Sequence, residues 1–224
     1  QRMIAPKLDE RLQAAADLVR PCDTAADIGC DHGKLSAYLA CTGRARRVIA
    51  ADLRPGPLST AQKTCEEAGC LDRVELRMGD GLSVLAPGEA QAVVIAGVSA
   101  QTAIEMLTAA PWVRDESTQL VLIPATKAPV LRRWLWENGF SLNAERLVCA
   151  AHRWYAVMDA AYTGTVRQPT DAECLLGLTQ DQQGAAEYRA QQLNRLKKFR
   201  RGLEQDPEAA RRADELLRQL EGEG

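Results

Sequence analysis

Three acidic residues at the ends of short apolar runs carry the chemistry that this chain could perform: Asp27, Asp52 and Asp80. The first stands in Thr24-Ala-Ala-Asp27-Ile-Gly29-Cys30-Asp31-His32-Gly33-Lys-Leu35, a D-x-G-x-x-x-G spacing. Gly29 permits a tight turn without a Cβ penalty. Gly33 is expected to let the backbone pass close to a ligand where a helix begins and its N–H groups are unpaired. Cys30 within the turn either lines that pocket or fills space beneath it. A dinucleotide site needs G-x-G-x-x-G, with a pyrophosphate on the helix N-terminus. Asp27 replaces the first of those glycines. A carboxylate there repels a diphosphate and pairs with an ammonium group, which argues against a nicotinamide dehydrogenase. Asp52 closes Arg46-Arg-Val-Ile-Ala-Ala-Asp52, and in doubly wound folds an acid at that place bonds ribose hydroxyls. Asp80 sits in Gly79-Asp80-Gly81 after a third apolar run, where an ordinary turn aspartate is the competing reading.

These residues must be positioned by alternating strands and helices. Thr24 to Ile28 reads as a strand, and Leu35, Tyr38 and Leu39 recur at helical spacing behind it. Upstream, Leu8, Leu12, Ala15, Ala16 and Val19 share one helical face, with Pro21 beyond it. That opening helix is expected to pack beside the sheet and help close the site. Arg46 to Asp52 is a second strand, and the helix after it carries Pro57 in its first turn and stops at Gly69. Val74 to Met78 alternates as a third strand, and Ala92 to Ala96 is a continuous apolar run suited to a buried parallel strand. A helix over 102–109, a strand over 120–123 and a helix over 129–137 follow. Beyond Gly139, 140–149 and 153–162 read as an antiparallel edge pair. The pattern predicts an α/β, Rossmann-like sheet, mostly parallel and covered on both faces.

After a linker over 164–170 the texture changes. Ala185, Tyr188, Gln192, Leu196, Phe199 and Leu203 step by three and four. Asp206 and Pro207 open a second helix whose answering stripe is Ala209, Ala213, Leu216 and Leu220. A helical, coiled-coil-like hairpin is expected. The domain reading is therefore 1–163 for the sheet and 164–224 for the hairpin.

Composition narrows the function. The chain has 224 residues, a 46% hydrophobic fraction and a net charge of −2, so nucleic acid would have to be met by a local basic patch. Such groups cluster at Arg44, Arg46 and Arg47, at Arg132 and Arg133, and at Arg195, Lys197, Lys198, Arg200 and Arg201. Taken alone, each cluster reads as a solvated face. Aromatic residues make up only 4%, too few for a broad base-stacking platform. Seven cysteines lack C-x-x-C spacing, which points to reduced thiols in a cytosol, with neither a disulfide framework nor a metal site. No apolar run approaches membrane-spanning length, about 20 residues, and no secretory signal peptide is expected. Gln1-Arg2 ahead of Met3 reads as a remnant of expression.

Leu8-Asp9-Glu-Arg11-Leu12, Ala26-Asp-Ile-Gly29-Cys-Asp31-His32, Gly79-Asp80-Gly81-Leu82 and Ile95-Ala96-Gly97 stand in this order. Together they resemble the bacterial tRNA adenine-22 N1-methyltransferase family (TrmK) from about Leu8 to Tyr162. Asp31-His32 is the most diagnostic part, because generic class I methyltransferases usually carry a glycine in place of Asp31. The resemblance implies S-adenosylmethionine as cofactor and tRNA as substrate, with cytoplasmic action and a monomer or weak homodimer. Asp27, Gly29, Cys30, Gly33, Asp52, Leu53, Gly79, Asp80, Gly81, Leu82, Ala96 and Gly97 would bind the cofactor, with Asp80 at the adenine amine. Asp31 would stabilise the charge that adenine acquires on N1-methylation, and His32 would orient Asp31 or stack on the base. The basic run on the hairpin would contact tRNA phosphates, as the family's helical appendage does. Two stretches depart from the family pattern. Ala-Gly-Met-Gly-Gly is replaced by Ala96-Gly97-Val98-Ser99-Ala100, and Gln-Pro-Asn by Ile123-Pro124-Ala125, with Thr126 as a partial substitute for the lost amide. The rival reading is a non-catalytic or substrate-shifted paralogue that still binds cofactor or RNA.

Overall fold

A computed structural model describes residues 2–222; Gln1, Glu223 and Gly224 lie outside the described residues. The chain begins with helix α1 (Glu10–Leu18), whose N-cap Asp9 accepts a hydrogen bond from the Leu12 N–H. Then come β1 (Cys22–Ile28), α2 (Lys34–Cys41), β2 (Ala45–Asp52), α3 (Pro55–Ala68), β3 (Val74–Met78) and β4 (Ala92–Ala96). The series continues with α4 (Ala100–Ala109), β5 (Gln119–Ile123), α5 (Ala128–Glu137) and the hairpin β6 (Phe140–Ala150) and β7 (Arg153–Tyr162). Three C-terminal helices follow, α6 (Asp171–Leu176), α7 (Ala185–Arg201) and α8 (Pro207–Glu221). The strands form one seven-stranded sheet in the order β3-β2-β1-β4-β5-β7-β6. β1 to β5 run parallel, while β7 pairs antiparallel with both β5 and β6.

Alternation along the strands builds a separate core on each face. Ala26, Ile28, Val93, Ile95, Leu120 and Leu122 pack with Ala103 and Leu107 of α4 and with Leu131 and Leu135 of α5. Ala25, Val94 and Val121 face the other way, onto Ala15 of α1, Leu35 and Leu39 of α2, and Ala61 and Cys65 of α3. Side chains successive along a strand point to opposite faces, so each apolar run serves two helical layers. Asp27 lies on the α1–α2–α3 side.

Gly33 has a packing role of its own. Its φ is +71°, and a Cβ there would come within 2.7 Å of the Ala61 Cβ. The glycine therefore lets α2 lie tightly on α3, a requirement that its place in the motif does not reveal. Helix α4 starts two residues earlier than its sequence pattern, because Ser99 is its N-cap and accepts from the Thr102 N–H. The residue standing where the family has a glycine thus gains a capping function.

The C-terminal helices differ from a free two-helix hairpin. The helix α6, which the sequence pattern does not indicate, follows directly on the 164–170 linker, and Thr170 and Glu173 form a reciprocal capping box that starts it. Leu175 and Leu176 of α6 join Leu216 and Leu220 of α8 in a small core against which Leu193 and Leu196 of α7 pack. The stripe on α7 is divided. Tyr188 and Gln192 are buried, whereas Phe199 is 61% exposed. α8 buries Ala210, Ala213, Leu216 and Leu220, so its stripe begins at Ala210 in place of Ala209.

Arg132 ties this layer to the sheet. It is wholly buried, and its Nε and Nη2 donate to Glu145 Oε1 at 2.9 and 2.8 Å. Its Nη1 donates to the carbonyls of Cys174 and Leu175 at 2.9 and 3.1 Å, and its Nη2 donates to the Tyr188 hydroxyl at 2.7 Å. One side chain therefore joins α5, β6, α6 and α7. The reading of Arg132 as part of a solvated face is corrected by its burial. Arg133 beside it bridges to Asp171 at 2.5 Å.

Candidate active site

The sheet order reverses between β1 and β4, the place where open α/β sheets bind ligands beyond the strand ends. A cleft of about 260 Å³ opens there, lined by Asp27, Gly29, Cys30, Asp31, His32, Ala96 and Gly97, among others. Asp9, Arg11 and Leu12 supply its wall from the start of α1, which meets the expectation that the opening helix helps to close the site. A second cavity of about 360 Å³ lies beyond β3 and is lined by Asp80, Gly81, Leu82, Thr102, Met106 and Trp112. The two cavities offer separate places for the two ends of an extended ligand.

Asp27 is only 3% exposed and accepts a hydrogen bond from Ser36 Oγ at 2.6 Å. Burial pushes its pKa up to about 6; the Ser36 hydrogen bonds oppose this shift, and Asp52 and Asp31 add to it. The structure thus holds a desolvated carboxyl in the cleft wall that pairs with no cation among the described residues. A bound ammonium would stabilise its charged form. Gly29, at φ +73°, turns the chain so that its own N–H and that of Cys30 both donate to the Ala51 carbonyl at 2.8 and 2.9 Å. Cys30 is both buried and part of the lining, so the two readings of it are not exclusive. Burial pushes its thiol up, which leaves it protonated and unreactive.

Asp52 ends β2 and is 7% exposed. It accepts from the Arg54 N–H at 3.0 Å and more distantly from the Asp31 N–H at 3.4 Å. The β1 turn and the β2 end are thereby coupled through one carboxylate. Beside it, Leu53 is 64% exposed and Met78, its neighbour at the end of β3, is 65% exposed. Such apolar side chains at a strand end suit an uncharged ring. Asp80 is exposed beside the second cavity. Gly79 and Gly81 are held close to neighbours, since a Cβ would meet Val84 at 2.5 Å and Met106 at 3.1 Å respectively.

Asp31 and His32 stand at the mouth of the first cleft. Their side chains are 66% and 64% exposed, and His32 Nδ1 lies 2.9 Å from Asp31 Oδ2. Asp31 has φ +48°, a left-handed conformation uncommon outside glycine, which aims this pair outward. The arrangement presents a carboxylate with an oriented imidazole to whatever enters above the cleft.

The loops after β4 and β5 are zipped together. The Ala125 N–H donates to Val98 O at 2.8 Å and the Ala100 N–H to Thr126 O at 3.1 Å. Thr126 lines a groove against α7, away from the cofactor-type cleft. Among the basic groups, Arg46 and Arg47 flank the far end of β2 from the cleft and pair with Asp23 at 3.3 Å and Glu75 at 2.8 Å. Arg44 lies one residue before that strand. On α7, Lys197 pairs with Glu221 at 2.5 Å and Arg200 with Asp214 at 2.8 Å. Lys198 and Arg201 are exposed, and Arg195 faces the Thr126 groove. Sequence reasoning missed Arg153, Tyr155 and Gln192; each lines that side of the protein only because β7 and α7 come together. Among the described residues, no group of three His, Cys, Asp or Glu side chains is placed to hold a metal ion, and no helix is long and apolar enough to cross a membrane.

A cleft at the switch point with acids at three strand ends is the frame of a class I methyltransferase. Residues 8–158 match the family described as "Methyltransferase domain", and the fold agrees with that class. The chain is 32% identical over 165 residues to the tRNA (adenine(22)-N(1))-methyltransferase of Bacillus subtilis (strain 168), across 70% of this chain and 69% of the relative. It belongs to the tRNA (adenine(22)-N(1))-methyltransferase family. The crystal structure of the B. subtilis M1A22 tRNA methyltransferase TrmK superposes with a TM-score of 0.78 at 26% identity, over 97% of this chain and 95% of that one. M. capricolum TrmK, solved in complex with S-adenosyl-homocysteine, shares the fold at 20% identity with a TM-score of 0.79, over 96% of this chain and 97% of that one. The likeness includes the C-terminal helices.

Proposed function

We propose that this protein is an S-adenosylmethionine-dependent methyltransferase acting on N1 of an adenine at position 22 of tRNA, in the cytoplasm. The buried Asp27 carboxyl at the β1/β4 switch point, unpaired with any cation among the described residues, is the observation that carries the cofactor assignment. Asp27 holds the amino group of the methionine part, and the Gly29–Cys30 turn and the Ala96–Gly97 loop form the walls around it. Asp52 receives the ribose hydroxyls, Leu53 and Leu82 offer apolar contact to the adenine ring, and Asp80 accepts from its exocyclic amine. When bound, S-adenosylmethionine supplies an electrophilic methyl group on a sulfonium.

Adenine N1 already bears a lone pair, so no general base is needed before attack. Positioning alone can contribute roughly 7–11 kcal/mol to such a transfer. Asp31 balances the positive charge that the acceptor ring acquires and can take a proton from its exocyclic amine, while His32 keeps the carboxylate oriented. Residues 164–224 act as the tRNA-gripping unit, with Arg195, Lys198 and Arg201 free to meet phosphates and Lys197 and Arg200 exchanging their acid partners for them. Arg44, Arg46 and Arg47, at the opposite strand end, are left out of this interface.

The test is nucleoside mass spectrometry of tRNA incubated with protein and S-adenosylmethionine. A gain of 1-methyladenosine, absent from a transcript with guanosine at position 22, is expected. A different modified nucleoside, or none, refutes the assignment.

A further inference from the structure

A groove of about 790 Å³ lies between α7 and the loop after β5. Its walls combine Pro129, Val130, Leu196 and Phe199 with Lys127, Arg153 and Arg195. Phe199 and Val130 are 61% and 45% exposed, so an apolar surface faces solvent there. None of the three cations has an acidic partner among the described residues. Burial, followed by repulsion from Arg153, holds Arg195 below the usual guanidinium range. Two positive groups drawn together out of water without an acid make a place for an anion.

Two buried donors at this site have no hydrogen-bond partner among the described residues: Arg153 Nε and Gln192 Nε2. Gln192 is 2% exposed and lines the groove wall. A buried amide left without a partner in a finished fold is uncommon and calls for an explanation. The groove shares no lining residue with the cleft at the β1/β4 switch point, but side chains link the two. Arg153 Nη2 donates to the Ala125 carbonyl at 2.5 Å, two residues after Ile123, the last residue of β5, which lines that cleft. The Tyr155 ring lies between the two, with the Arg11 guanidinium 4.9 Å from its centroid and that of Arg153 5.0 Å away. Arg11, Tyr155, Arg153 and Arg195 thus form a cationic and aromatic path from the cleft mouth to α7.

We infer that this groove is a second nucleotide subsite, which holds a nucleotide flanking the target adenosine with its phosphate between Arg153 and Arg195 and its base against Val130 and Phe199. Gln192 is the polar group that meets the base edge. Phosphate contacts supply register, and contact with an unstacked base face is how single-stranded RNA is commonly held. An acidic peptide would satisfy the cations but would leave the apolar wall and the amide unused. The inference rests on the tRNA methyltransferase reading given above.

The experiment is steady-state methylation of tRNA by the full chain at saturating S-adenosylmethionine, for wild type, Arg195→Ala, Arg195→Lys and Gln192→Leu. Thermal unfolding and S-adenosylhomocysteine affinity are measured alongside. Arg195→Ala is expected to raise KM for tRNA about tenfold and to flatten the salt dependence of KM by about one phosphate contact. Arg195→Lys should restore the slope, and Gln192→Leu should raise KM several-fold; affinity for S-adenosylhomocysteine should stay within twofold in all three. Oligoadenylate should compete better than polyglutamate of equal charge. Wild-type KM and salt slope in Arg195→Ala, in an enzyme that methylates tRNA, would overturn the subsite alone. Equal competition by polyglutamate would do the same. A wild-type protein that methylates no tRNA removes the functional reading and the subsite together.

Discussion

Replacing Arg132 by methionine keeps most of the side-chain volume and removes five hydrogen bonds at once. Four acceptors lose their donor: Glu145 Oε1, the carbonyls of Cys174 and Leu175, and the Tyr188 hydroxyl. The Glu145 carboxylate keeps, among the described residues, the Leu178 N–H alone, which donates to Oε2 at 2.6 Å. Both partners of the pair have fully buried side chains, so the orphaned carboxylate cannot be rescued by solvent. Removing one member of a buried pair costs about 3–5 kcal/mol. Against a total stability of about 5–15 kcal/mol, that is a large share. Burial works to lower the Arg132 pKa, and Glu145 and Tyr188 outweigh it, so the guanidinium stays charged and its loss is the loss of an ion pair. Urea unfolding monitored by circular dichroism should report the drop. The double variant Arg132→Met, Glu145→Leu should lose at least 2 kcal/mol less than the sum of the single variants, because it leaves no lone charge. The break falls between the sheet and α6–α8, so proteolysis between residues 164 and 184 should accelerate while S-adenosylhomocysteine binding persists. A single-variant loss below about 1 kcal/mol, or strictly additive singles, would refute the idea that this ion pair fastens the helical layer.

Asp27 makes stability and binding respond to pH in opposite ways. Its folded pKa of about 6 exceeds the ordinary 3.8, so the unfolded chain ionises first. Stability should fall as pH rises from 4 to 6, by about 3 kcal/mol in all, and Asp27→Asn should abolish that segment of the titration. Cofactor affinity should move the other way, weakening as pH drops below 6, because the ammonium needs the charged carboxylate; calorimetry with S-adenosylhomocysteine checks this, and a flat profile in wild type counts against it. Gly177→Ala should be among the most damaging small substitutions, since its Cβ would fall 2.0 Å from Glu145 Oε2 and 2.3 Å from Arg132 Nε, at a backbone φ of +61°; soluble yield and urea midpoint are the measures. Gly33→Ala should cost roughly 2–4 kcal/mol through its contact with Ala61 and its left-handed backbone. Asp31→Ala should reduce turnover on tRNA by tenfold or more without weakening S-adenosylhomocysteine binding; wild-type turnover with tight cofactor binding would remove Asp31 from the mechanism.

What the sequence made legible was local. β3 and β4 span the residues that alternation and apolar continuity indicate, and β1 and β2 each extend slightly beyond them. The acids at the strand ends could be found for the same reason, because a residue that follows an apolar run stands where the strand meets the ligand side. The helix α6 was missed because six residues are too few to show a period, although Thr170 and Glu173 already stood at capping-box spacing. The packing role of Gly33 was not legible, because the contact that demands a glycine there comes from α3, 28 residues away at Ala61.

Arg132 and Gln192 show the deeper limit. Periodicity places Tyr188 and Gln192 on one buried face of α7, but it cannot say that the opposing surface is β7 and a buried guanidinium in place of α8. Arg132 beside Arg133 looks like charge on a solvated helix, because its partners Glu145 and Tyr188 are 13 and 56 positions distant. A charge becomes structural only when tertiary packing brings its counter-charge, and no spacing rule encodes that. The same packing closes the Thr126 groove. The changed loop after β5, read by itself, suggests a lost acceptor site. Set against α7 and β7, Thr126 instead joins Arg153, Arg195 and Gln192 on one wall. A substitution away from a family pattern therefore has to be judged by the surface it faces in the folded chain. Here that surface carries Lys127, Arg153 and Arg195, so the changed loop borders a cationic groove.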